Sequence, residues 1–502
     1  MSPRLAVFSL VVLCAAVAGC DNEAPTGGDT GGSPSTGGTS PATGGAPTSG
    51  GAPSTGGIPS GSCTSPTLRI TEVDVGANVV TNETEATTSG TNLMVLALSP
   101  IPSGGSRLMW HGSDGAIHVT TLNADDTING SAAAVTIAGK DSGDIYADDT
   151  GGVLLVTRDA PGTGTTHCGD VNNLCGSIVS LSSTIVCHDM YLVRFDGTTE
   201  TWATQLTGSS AAHPPYLNGP TDSSNVIFIW WYAHHGRIVS DGTNYASYFG
   251  AAISVSQTCV ASDSALGTGV NIHQGDRMKV VGPTGTLLTG KNSFDWGCSH
   301  SGYERIVWDP TASKFVMVCK NDAPTSGKSG RITYPPSTTM YAIDNAYCNL
   351  GNLILGGAGG YWLTASDIRD GQTAGARGLA DVHLFHFTTG APDVNNIIAN
   401  TDNSRAPHLA KYGNHMLAAW EQSTTTGDFA FKNTGRTMYL QVMNSSTGAA
   451  ISSPIAVGST GTNAIFGNRY QEFKSYPDGS VAYPSAGSSA TKIKILRVMP
   501  CQ

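Results

Sequence analysis

Asp-Gly pairs set between β-forming runs constrain this chain more than any other feature. They begin at Asp114, Asp196, Asp241 and Asp478, inside RLMWHGSDGAIHVTTL (107–122), MYLVRFDGTTETWATQL (190–206), RIVSDGTNYASYF (237–249) and FKSYPDGSVAY (473–483). Glycine accepts positive φ without steric cost, so each pair predicts a tight hairpin. MKVVGPTGTLL (278–288), ERIVWDPTASKFVMVC (304–319) and HLAKYGNHMLAAWEQ (408–422) repeat the pattern with other turns. Helical periodicity is almost absent, so the expected class is all-β.

The body, residues 63–502, has no internal composition break of the kind that tandem sandwiches would need. Four-stranded units of about 45–65 residues would divide it into roughly six to eight, and a single seven-bladed β-propeller is the expected architecture. HLAKYGNHMLAAWEQ, MYLQVMNSSTGAAISSPIAV and EFKSYPDGSVAYPSA read as two inner strands, an outer hairpin and the next blade's entry. The strand-like ends LRITEVDV (68–75) and TKIKILRVM (491–499) are bracketed by Cys63 and Cys501. A ring closes well when its first and last strands share a sheet, so these cysteines are expected to pair across the seam.

Ahead of the body stand two segments of different character. Arg4, the apolar run LAVFSLVVLCAAVA and VAGC (17–20) resemble a bacterial lipoprotein signal, with Ala18 and Gly19 suiting the peptidase and Cys20 as acceptor thiol. That resemblance implies a signal peptide over 1–19, acylation of Cys20 and a lipid membrane as partner, in the cell envelope at the outer membrane or surface. Residues 20–62 form a Gly/Ser/Thr/Pro linker with GG pairs and no aromatic residue. Such a chain cannot bury enough surface to offset its entropy and reads as a disordered tether, holding the body on the order of 35 Å from lipid. No later stretch is long and apolar enough to span, so a soluble body is expected.

The chain carries 26 basic against 37 acidic residues without a clustered basic stripe, which argues against nucleic acid. The body is expected to act as a monomer. Setting aside Cys14 and Cys20, nine cysteines remain, an odd number that leaves at least one thiol. Cys168 and Cys175, in HCGDVNNLCG (167–176), suit a short disulfide loop. WGCSHS (296–301) raises a sharper question. On a strand Cys298 and His300 face one way, and with His273 and Cys319 they would make a tetrahedral Cys2His2 set for one structural zinc. A Cys298–Cys319 disulfide explains the same residues without metal, and spacing leaves both open.

Aromatic and basic side chains are densest in HPPYLNG (213–219) and IWWYAHHGRIVSDGTNYASYF (229–249). Trp and Tyr faces suit sugar rings, while His and Arg suit hydroxyls and carboxylates. His213, His234, Tyr248 and Arg237 are the candidate catalytic set for β-elimination on a uronate polysaccharide. In that chemistry a cation neutralises the carboxylate and a Tyr or His removes the adjacent proton. This set is similar in kind to that of propeller polysaccharide lyases. Blade-opening segments AAHPPY, CSHSGYER, SRAPHL and GNRYQEF are expected to line a central funnel, with His213, Trp231, Arg405, His408 and Arg469 as ligand-binding candidates. GxSxG, HExxH and the sialidase Asp-box are absent, and GGAGG (356–360) reads as a β-turn. The functional expectation is a tethered propeller that binds an extracellular polysaccharide or envelope protein, with a lyase as the alternative.

Overall fold

The computed structural model describes residues 63–80, 95–131, 135–158, 170–172, 178–180, 189–207, 226–228, 236–255, 271–294, 298, 302–322, 328–334, 338–344, 348–369, 378–424, 435–458, 465 and 469–501. Among them no helix occurs, and the strands form seven antiparallel blades plus one separate hairpin. Blade 1 runs outward through Ala97–Pro100, Ser106–Gly112, Ile117–Leu122 and Val135–Ile137. Blade 2 comprises Asp141–Ala147, Gly151–Arg158, Asp189–Asp196 and Thr199–Gln205, with the hairpin Asp170–Asn172 and Ile178–Ser180 inserted in its middle connection. Blade 3 holds Arg237–Ser240, Tyr245–Val255, Asn271–Val281 and Leu287–Leu288. Blade 4 holds Gly302–Asp309, Lys314–Asn321, Gly330–Tyr334 and Thr338–Ile343, and blade 5 Leu350–Leu355, Tyr361–Ile368, Ala380–Phe387 and Val394–Ala399. Blade 6 holds Asn403–Tyr412, His415–Ser423, Arg436–Asn444 and Ile455–Val457.

Blade 7 is composite. Lys474–Ser475, Val481–Ala486 and Lys492–Val498 come from the end of the chain, and Leu68–Asp74 from its beginning supplies the outermost strand. The pairing runs unbroken from Leu68 opposite Val498 to Asp74 opposite Lys492. Cys63 and Cys501 are disulfide-bonded beside it, as expected, with Cα atoms 5.3 Å apart. Asp126 of blade 1 adds an ionic clamp: its carboxylate accepts from Arg497 Nε at 2.8 Å and from Arg69 Nη2 at 2.7 Å. Both strands of the seam are thereby tied to the next blade. Consecutive innermost strands touch around the whole circle, and the seventh touches the first. The ring is closed.

Its cores lie between blades. Leu108 and Trp110 pack on Ile493 and Ile495, Tyr248 and Met278 on Phe315 and Met317, and Leu417 and Val442 on Phe473 and Val481. Alternation along each strand supplies one apolar face to each neighbour, and each buried Leu, Ile or Val side chain contributes about 1.5–3 kcal/mol. The Asp-Gly pairs at Asp114, Asp196, Asp241 and Asp478 sit at hairpins, where Gly115, Gly197, Gly242 and Gly479 have φ between 59° and 92°. At Gly151 close approach adds a second constraint, since a Cβ there would stand 1.8 Å from the Phe195 carbonyl oxygen.

Candidate functional site at the propeller axis

Four innermost strands carry a bulge near their start. Register shifts fall between Ser142 and Asp144, Gly302 and Arg305, Leu350 and Leu353, and Arg405 and His408. A bulge re-aims the residue beside it. Tyr303 and Ala406 adopt φ of 59° and 48° there, a conformation few residues with a side chain accept. Beside these bulges Asp144, Arg305, Asn352 and His408 are buried, and Arg237 joins them at the start of the innermost strand of blade 3.

What these residues meet is a five-residue segment, Tyr470–Lys474, leading into blade 7. Its members reach all six other blades. Gln471 Oε1 accepts from the Leu96 N–H of blade 1 at 3.3 Å, and Lys474 Nζ lies 2.9 Å from Asp144 Oδ1 of blade 2. The Tyr470 carbonyl accepts from Arg237 Nη2 of blade 3 at 2.6 Å, while the Tyr470 ring stacks on Tyr303 of blade 4 at 5.4 Å. Glu472 Oε1 accepts from Asn352 Nδ2 of blade 5 at 2.6 Å, and Phe473 packs against the His408 ring of blade 6 at 5.5 Å. The segment plugs the axis.

Electrostatics explain why this plug holds. Lys474 Nζ also bonds Glu472, whose Oε2 lies 3.3 Å from Arg237 Nε. Burial alone would discharge Lys474, but Asp144 and Glu472 outweigh it and hold the ammonium above its usual range. Burial raises the Glu472 carboxyl, yet Lys474 and Arg237 bring the net shift below the usual carboxylate range. Burial pushes the Asp144 carboxyl up against the pull of Lys474. Arg305 spends its donors on the Gly351, Leu350 and Glu304 carbonyls at 2.9–3.1 Å, and burial followed by Arg237 draws it down to about 9. Burial, then Arg305 and Arg237, hold the His408 imidazole down to about 3, so it is neutral at pH 7.

The residues singled out in the sequence distribute unevenly. Arg237, Arg405 and His408 lie on innermost strands, and the Arg469 guanidinium sits over the Tyr470 ring at 4.9 Å. Tyr248, opposite Arg237 in blade 3, is fully buried and its phenol donates to Asp276. Burial, then Asp276 and Glu304, push that phenol well above its usual range. Cys20, Cys168, Cys175, His213, Trp231, His234 and His300 lie outside the described residues. His273 stands opposite Ile253 in blade 3.

The zinc expectation needs correction. Cys298 and Cys319 are disulfide-bonded, with Cα atoms 6.7 Å apart, so neither offers the thiolate that zinc requires. The third donor brought within 4.8 Å of the sulfurs is Asp276, and its carboxylate accepts from the Cys298 N–H at 2.5 Å. Cys298, in the connection between blades 3 and 4, is thus stapled to the Lys314–Asn321 strand of blade 4 and held to blade 3 through Asp276. Among the described residues the leftover thiol is Cys348, buried, which pushes it well above the usual thiol range.

Sequence reasoning missed the plug. GNRYQEF read as one more strand opening, although an acid and a base flanking Phe473 in QEFK were a signal that this segment needed partners from elsewhere.

No family model and no curated protein matches this chain. Among solved structures, a subtype N10 neuraminidase-like protein of A/little yellow-shouldered bat/Guatemala is 9% identical, covering 85% of this chain and 100% of its own, with a TM-score of 0.32. The WD40 domain of SCAP from fission yeast is 8% identical, covering 86% of this chain and 98% of its own, with a TM-score of 0.29. Each is a distant likeness, and the seven-bladed ring rests on this chain's own strand pairing.

Proposed function

We propose that this chain is an exported lipoprotein, acylated at Cys20 and carried on its 20–62 linker. Its propeller binds an extracellular polysaccharide or a cell-surface partner at the axial mouth where the innermost strands begin. The plugged axis carries the reading. A closed floor turns a through-channel into a concavity, the shape that ligand sites take. The axial group sets three cations, Arg237, Arg305 and Lys474, against the carboxylates of Asp144, Glu472 and Glu304, so the plug is balanced within itself. Arg469, at the entry of the plug, is the cation that suits an anionic, hydroxyl-rich polymer in a chain of net charge −11. Anchoring would hold the body in the cell envelope, at the outer membrane or surface.

Binding is favoured over β-elimination because Tyr248 is buried against Asp276, and the described residues of that set offer no solvent-facing base. The test uses the full chain in detergent against uronate-containing and neutral polysaccharides. Retention by the acidic polymers, weakened by salt and reduced at least about tenfold by Arg469→Ala, is the expected result. Absence of retention across the panel would sink the proposal. Ultraviolet absorbance from unsaturated chain ends would transfer support to a lyase using His213 and His234.

A further inference from the structure

At the other end of the axis, where the innermost strands finish, lies a cavity of 710 Å3. Its volume falls within the range of about 300–1,000 Å3 typical of small-molecule sites. Ser475, the residue after the plug, lines it, so the plug separates this cavity from the mouth assigned above to a polymer. Val307 of blade 4 and Ile354 and Leu355 of blade 5 give it an aliphatic arc. Lys411 and His415, on either side of the first hairpin of blade 6, give it a polar arc.

Three observations point to the kind of ligand. No Asp or Glu stands among the described lining residues, although the chain holds 37 acidic residues against 26 basic. Lys411 is exposed and has no ion-pair partner among the described residues. The GGAGG turn packs closely on blade 6 here: the Gly357 N–H donates to the Ser445 carbonyl at 2.9 Å, and a Cβ on Gly357 would stand 2.6 Å from Ser445 Oγ. The motif is therefore more than a turn, because glycine is what lets blade 5 approach blade 6 beside the cavity.

We propose that this cavity binds a small carboxylate with a compact aliphatic body, the carboxylate against Lys411 and the body on Val307, Ile354 and Leu355. The aliphatic arc rewards burial of a branched hydrocarbon group. The polar arc supplies a cation and donors to a carboxylate at one end of that group. A branched acyl acid and the C-terminal leucine of a peptide share this chemistry.

Titration calorimetry on the full chain in detergent tests it with four probes: 4-methylpentanoate, a tripeptide acid ending in leucine, the corresponding tripeptide amide, and glucuronate. Saturable binding of the acyl acid or the peptide acid is expected, and which of them binds more tightly identifies the source. The amide is expected to bind at least about tenfold more weakly than the acid. Lys411→Glu should abolish binding and Lys411→Arg preserve it, with thermal unfolding unchanged in both because this side chain is exposed. Equal binding of amide and acid, an unaffected Lys411→Glu chain, or tighter binding of glucuronate than of both aliphatic acids would overturn the proposal, as would no saturation by any probe. Polysaccharide retention by Lys411→Glu is expected to match the native chain, so failure here and failure of the polymer reading remain separate results.

Discussion

Replacing Lys474 by Met tests the plug directly. The substitution keeps most of the side-chain volume and removes the cation 2.9 Å from Asp144 Oδ1. Glu472 retains Arg237 at 3.3 Å and Asn352 at 2.6 Å, so Asp144 is the group left short of a partner. Asp144 keeps the Ile238 N–H at 3.0 Å, which satisfies a lone pair without supplying charge. Removing one partner of a buried pair costs about 3–5 kcal/mol, and the surviving bonds place the expected loss near 3 kcal/mol. The sign of the pH dependence provides a second check. Without Lys474 the Asp144 carboxyl, already raised by burial, rises further. A raised folded-state pKa contributes stability as pH falls through it, so the penalty should shrink as the pH is lowered. Urea unfolding of native, Lys474→Met, Asp144→Asn and doubly substituted chains gives the coupling energy, expected at about 1–3 kcal/mol. A loss below about 1 kcal/mol at pH 7, or an equal loss in the Asp144→Asn background, would refute the ionic plug.

Cys63→Ser with Cys501→Ser should lower stability by about 2–4 kcal/mol while leaving the strand content seen by circular dichroism intact, because the pairing from Leu68 to Asp74 and the Asp126 clamp remain. His408 should make the fold acid-sensitive. Its folded-state pKa of about 3 lies below the unfolded value near 6.5, so the unfolded chain takes the proton first and stability falls as pH drops through that window. The loss from this group between pH 6 and 4 is roughly 2–3 kcal/mol, and His408→Phe should flatten the urea-midpoint profile by that amount. Gly151→Ala should cost at least about 1–3 kcal/mol in thermal or urea unfolding, since its Cβ would stand 1.8 Å from a backbone oxygen.

The parts of this fold that were legible in the sequence are those fixed by local chemistry. Asp241 and Asp478 sit in turns where their carboxylates accept from the N–H of Thr243 and Ser480, and such turns recur at Asp148 and Asp309 in the same hairpin of blades 2 and 4. The terminal strands announced their partnership through apolar alternation and flanking cysteines. WGCSHS was legible only to a choice. Sulfur spacing does not tell a bond between two sulfurs from shared ligation of a metal, because that depends on which strands the ring makes neighbours. The plug was opaque for the same reason. Tyr470–Lys474 meets partners as far away in sequence as Leu96 and Asp144, and nothing local in those residues encodes the meeting. The inner-strand bulges escaped notice because Tyr303 and Ala406 break the expectation that glycine marks positive φ.

The composite seventh blade has a consequence for the order of assembly. Among the described residues, Leu68–Asp74 is the first strand of the body and pairs with Lys492–Val498, among the last. Until those residues are made, its polar edge lacks the strand it pairs with in the finished ring. Closure of so long a loop is slow, and an unpaired edge is a template for the wrong neighbour. The last strand to be made is thus the one that completes the first, and the ring can close only when both ends of the body are present.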